Sequence, residues 1–253
     1  MSVPQIVIYW SQKVKKVISE QKLWENCLEE DISIRLCQLR SSIKQGIVDG
    51  DEAIRQAISI NEALERWLSN VPAEFSYTKI YDFESPENVF FGCYHIYSKT
   101  RVAFVWNHYR SLRILTNEII IDALYSSGGV SSREAQRLAS EQLFKKLTAD
   151  ICRSVPPFLG YQNSQKCAPV MIGTLLLWPL YTCAAQTFVS PRTREWIILQ
   201  LDRIGETMGI QLATSLAQLL RNRREVTVWD RIDADNARNP PQVEVEWENY
   251  EEW

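Results

Sequence analysis

Apolar residues recur along this chain with the period of a helix. Leu28, Ile32, Leu36, Leu39 and Ile43 fall four, four, three and four residues apart. That spacing lays one apolar stripe along a helix and predicts its end near Gly46. Asp51 is read as the cap of the next helix, with Ile54, Ile58, Leu64 and Leu68 inward, Trp67 beside them and Pro72 as the stop. Residues 73–87 show no clear period and are read as a connecting loop. A long helix is expected from about Asn88 to Tyr125. Its centre, RVAFVWNHYRSLRIL, is apolar on several faces, as a helix buried on more than one side would be.

Ser126-Ser127-Gly128-Gly129 breaks the pattern. Ser131 and Glu134 then have the spacing of a capping box. Phe144, Leu147, Ile151 and Val155 stripe the helix that follows, and Pro156-Pro157 with Gly160 stop it. From Cys167 to Pro191 there is no charged residue. The run is long enough to be weighed as a membrane span. It holds Gly173, Pro179 and Gln186 and lacks a flanking basic cluster at one end, so a buried central helix at about 168–189 is expected instead. Ser190-Pro191 opens another helix with Ile197, Leu201, Ile204 and Met208 inward, and Gly209 closes it. A last helix, about Gln211 to Arg224, is read with Leu212, Leu216, Leu219 and Leu220 inward. Strands are not expected, apart from a short alternating stretch at Val243 to Trp247.

The fold class that follows is all-α, an irregular bundle of about seven helices. It occupies residues 1–225. Residues 226–253 are set apart as an acidic tail, with Trp247 and Trp253 as aromatic anchors.

Composition narrows the function classes. The chain has 253 residues, net charge −3, six cysteines and two histidines. An acidic chain does not bind nucleic acid through its overall field, so no direct DNA binding is expected from it. No Cys-x-x-Cys pair occurs, and the cysteines are read as reduced, buried apolar residues. Met1 to Trp10 does not read as a signal peptide. No phosphate-binding glycine loop, nucleophile elbow or His-Glu-x-x-His pair is present. No catalytic residue, cofactor or metal ligand is therefore assigned. The acidic run Glu29-Glu30-Asp31 is read as a solvated helix face. Cys93 and His95, two apart, are placed on different faces of the long helix. His108 is read as a hydrogen-bonded core or surface residue. Trp106, Trp178 and Tyr181 are the candidate lining of a ligand pocket, weighed against ordinary core packing. Arg221, Arg223 and Arg224 suit a helix C-terminus.

Three phrases carry a resemblance. They are FVWNHYRSLRILTNEIIIDAL (104–124), ADICRSVPPFLG (149–160) and GTLLLWPLYTCAAQTFVSPRTREWIILQLDRIGETMGIQLATSLAQLL (173–220). In this order they resemble the C-terminal regulatory region of fungal zinc-cluster (Zn₂Cys₆) transcription factors. The third is the most specific, through LLWPLY, the phrase around Arg194, Trp196 and Ile197, and IGETMGI. The paired cysteines and basic linker of that family's DNA-reading cluster are not in this chain. The resemblance implies a nuclear transcription-regulator domain that responds to the transcription machinery, to another regulator protein or to a small-molecule effector. Under it, Glu244 to Trp253 is a candidate activation segment. A stand-alone interaction or inhibitory protein is the alternative, and an all-α enzyme on an apolar metabolite is the remotest reading.

Overall fold

The computed structural model describes residues 30–126, 131–161 and 170–222. Among them are seven α-helices and one two-stranded sheet, so the fold is all-α with a single hairpin inserted. The helices are α1 (Glu30–Lys44), α2 (Gly50–Ser69), α3 (Thr100–Ser126), α4 (Ser131–Ser154), α5 (Val170–Ala184), α6 (Pro191–Met208) and α7 (Gln211–Arg221). The strands are β1 (Tyr77–Tyr81) and β2 (Cys93–Tyr97). Helix α3 is the hub, packing against α2, α4 and α5, while α6 joins α5 to α7.

The stripes of α4 and α6 lie where their period puts them. Phe144, Leu147, Ile151 and Val155 are buried, as are Ile197, Leu201, Ile204 and Met208. Ser190 Oγ accepts from the Thr193 amide, and Gly209 closes α6 in the left-handed conformation at φ 67°. Pro179 sits inside α5. It has no amide to give the Leu175 carbonyl one turn back. Arg194 reaches the end of the same helix, donating to the carbonyls of Ala184 and Gln186 at 3.0 and 2.9 Å. Among the described residues no helix is long and apolar enough to cross a membrane.

Several expectations are corrected. The segment read as a loop and a helix start forms the hairpin, paired antiparallel from Tyr77 opposite Tyr97 to Tyr81 opposite Cys93. Helix α3 begins only at Thr100. The cap of α2 is Asp49, whose carboxylate accepts from the Glu52 amide at 2.7 Å, and Asp51 lies in the first turn. The buried face of α2 runs through Ala53, Ala57, Ile60 and Leu64 and leaves Leu68 exposed. Likewise α7 buries Ala213, Ala217 and Leu220 and turns Leu212 outward, 56% exposed. In both helices small alanines sit closest to the neighbour. In α7 the leucine beside one of them, Leu212, is left at the rim, whereas in α2 Leu68 lies beyond Leu64, the last buried position, between Trp67 and Ser69. The reading of 226–253 as a tail, and the strand at Val243 to Trp247, lie outside the described residues. So do Cys27, Cys167, Arg223, Arg224 and the side chains of the Glu29-Glu30-Asp31 run.

Polar ties cross the core between helices. Arg40 of α1 donates to Glu118 Oε2 at 2.8 Å and to the Leu115 carbonyl at 3.1 Å, both on α3. Arg113 of α3 reaches Glu65 of α2 at 2.8 Å. Both guanidinium groups are buried, and each has a carboxylate partner that offsets part of its desolvation, although Glu65 itself stays exposed.

Candidate functional site

The hairpin packs its second strand on α4 and on α3, and the seam is polar. At its centre is Arg110 of α3, 1% exposed. Three rings surround the guanidinium: Tyr77 and Trp106 with their centroids 5.3 Å away, and Tyr97 at 5.9 Å. Arg110 Nη1 donates to the Tyr97 hydroxyl at 2.7 Å and to Asn107 Oδ1 at 3.0 Å. Asn107 passes the connection on, donating to Ser154 Oγ at 2.8 Å, and Ser154 donates to the Ile151 carbonyl at 2.7 Å. A chain of hydrogen bonds thus runs from β2 through α3 to the last turn of α4.

His95 completes the seam. Its Nδ1 is 3.3 Å from the Tyr97 hydroxyl, and its Nε2 faces Asp150 Oδ1 at 3.7 Å. The second distance is too long for a hydrogen bond. Asp150 also lies 3.6 Å from Arg153. Burial, with Arg110, Arg153 and Lys79 nearby, pushes the imidazole pKa down to about 2, so His95 is neutral. Burial also pushes the Tyr97 hydroxyl up to about 12, so it remains a donor as well as an acceptor. For Arg110, burial works against the charge, but Tyr97 and Asp150 more than offset it and its pKa rises.

The earlier placement of Cys93 and His95 on different helix faces is overturned here. They are on a strand, where a separation of two puts them on the same face, and both are buried. Trp106 lies at the edge of the seam. Its indole donates to the Phe75 carbonyl at 2.7 Å, and it meets Trp67, Tyr77 and Tyr109 edge-on. Trp178 and Tyr181 are buried together on α5, centroids 6.4 Å apart. Trp106, by contrast, is on α3. His108 lies on α3, and burial of its imidazole pushes its pKa down to about 4. Arg221 pairs with Asp202 of α6. Cys93, Cys152 and Cys183 are buried free thiols and Cys37 is a half-buried one. Among the described residues, no three His, Cys, Asp or Glu side chains gather closely enough to hold a metal ion.

The seam was not foreseen, although one signal for it is present. Arg110 and Arg113 interrupt a run that is otherwise apolar on several faces. A charge in such a run must find partners from another element. What the arrangement can do is mechanical. It fixes one buried cation between a hairpin and two helices, so the hairpin moves only if these bonds exchange.

Comparison of the chain with protein-family models, with curated proteins and with solved structures finds no match in any of them.

Proposed function

We propose that this chain is the helical regulatory region of a transcription regulator of the fungal zinc-cluster kind. One observation supports the reading. The three phrases that carry the resemblance fall in α3, in the end of α4 with its closing turn, and in α5 to α7. These elements pack on one another. The resemblance therefore belongs to one continuous core rather than to scattered surface. Its mechanism is a shift between helix packings, biased by a partner or effector and transmitted to a DNA-reading segment outside this chain. The Arg110 seam is the element whose exchange would register such a shift. Cell nuclei are the expected location.

A reporter assay tests the reading. The full chain is fused to an unrelated DNA-binding module and placed upstream of a reporter gene. Transcription is expected to rise or fall relative to the module alone. A folded, expressed fusion that leaves the reporter at the level of the module overturns the proposal.

A further inference from the structure

The connection between β1 and β2 carries surface that the core does not use. Tyr81 and Phe83 are 68% and 75% exposed, and Phe91 is exposed as well. The register explains why they gather. The Asp82 amide donates to the Gly92 carbonyl at 2.9 Å, which extends the ladder one step past Tyr81. The Phe83 ring then lies against Gly92, where any side chain would collide with it. Phe91 takes the left-handed backbone at φ 46°. For a residue other than glycine that costs about 1–2 kcal/mol. Arg192 of α6 lies 4.7 Å over the Phe91 ring.

The charge on this connection has one sign. From Ile80 to Ser98 the chain holds Asp82, Glu84 and Glu87 and no lysine or arginine. Glu84 and Glu87 are exposed. The connection is also anchored. Gln200 and Arg203 of α6 donate to the Glu87 carbonyl at 2.9 and 3.2 Å, and Tyr161 donates to Asp82. Aromatic faces and carboxylates both attract cations, and rings beside acids do so together. The protein's own Arg192 already uses one of these rings in that way. Among the described residues, three cations border the patch: Lys79 on β1, Arg192 over the Phe91 ring, and Arg203, which is engaged by the Glu87 carbonyl and Asn88 Oδ1 and so leaves the Glu84 and Glu87 carboxylates to face outward.

We infer that this patch docks a lysine- and arginine-rich segment of a partner protein. Cationic side chains of that segment stack on Tyr81 and Phe83 and pair with Glu84 and Glu87. An acidic segment would meet like charges. Two copies of this face would oppose the same carboxylates to each other. Under the proposed function, the natural occupant is the basic segment beside a DNA-reading module. That assignment rests on the regulatory reading, whereas the docking chemistry does not.

The test is fluorescence anisotropy of a labelled peptide of alternating arginine and serine, titrated with the full chain over a salt series. Thermal melts accompany every variant. Binding is expected, and it weakens as salt rises. Tyr81→Ala with Phe83→Ala is expected to weaken it about tenfold, the size of one or two cation–π contacts. Phe83→Leu, which keeps the apolar bulk and loses the ring face, should weaken it as well. Glu84→Gln with Glu87→Gln should weaken it and flatten the salt dependence. Leu212→Ser on α7 should change nothing. The inference is overturned if the unaltered chain fails to bind at low salt. It is equally overturned if folded variants bind as the unaltered chain does, or if a glutamate–serine peptide binds equally well. Peptide binding with a silent reporter keeps the docking and removes the regulatory reading. A responsive reporter without peptide binding does the reverse.

Discussion

Arg110 on the long helix donates to the hydroxyl of Tyr97 on the hairpin at 2.7 Å, and this bond ties the hairpin to the helix that follows it in the chain. The same guanidinium is enclosed by the Tyr77 and Trp106 rings and bonded to Asn107. It holds the hairpin to the bundle.

Removing that cation is therefore expected to be costly. Arg110→Ala leaves the Tyr97 hydroxyl and the Asn107 carbonyl without their donor and opens a cavity. The expected loss is about 3–5 kcal/mol. Arg110→Lys should not restore it, because an ammonium cannot reproduce the planar fork between the rings. Tyr97→Phe should cost less, about 1–2 kcal/mol, since the ring remains. Urea unfolding of the three variants gives the order. Equal stability of Arg110→Ala and the unaltered chain would show that the seam contributes nothing.

Acid should destabilise the fold through its two histidines. An unfolded histidine titrates near 6.5, whereas folded His95 titrates near 2 and His108 near 4. Below 6.5 the unfolded chain thus takes up protons that the folded chain refuses. Stability is complete above that pH and falls as pH drops, by up to about 1.4 kcal/mol per unit for each histidine. Denaturation curves between pH 7 and 5 should show this slope. His95→Gln and His108→Gln should each flatten it. A slope unchanged in both variants would assign the acid sensitivity to other groups.

The approach of α6 to α7 rests on Gly205. A methyl group there would collide with Thr214 Oγ1 and come within 3.4 Å of the Thr214 amide. Gly205→Ala is expected to cost about 1–3 kcal/mol despite its better helix propensity. Adding Thr214→Ala should recover part of the loss. Gly50→Ala, which meets nothing within 4 Å, should be neutral or slightly stabilising. Thermal melts of the three would separate the contact from the propensity, and a neutral Gly205→Ala would refute the contact.

Helix periodicity made the bundle legible. Gly209, the α6 stripe and the α4 stripe all act locally, through backbone freedom and a spacing that repeats along a single helix. The hairpin was hidden for the opposite reason. Cys93, Tyr94 and His95 are buried consecutively on β2, so no alternation of apolar and polar residues marks it as a strand. The pairing with β1 depends on residues sixteen or so positions away, a contact that no local window contains. Leu212 falls to the surface beside the buried Ala213, and Leu68 falls to the surface beyond Leu64, the last position of α2 that its neighbour covers; both outcomes depend on the neighbouring helix.

What the sequence determined by itself is the helical class, most helix ends and the apolar stripes that drive their association. These follow from short-range propensity and periodic burial. The tertiary structure decided which charges share a site. Arg110, Tyr97, His95, Asn107 and Asp150 come from three elements, and they meet only because burying a guanidinium requires partners that its own helix cannot supply in full.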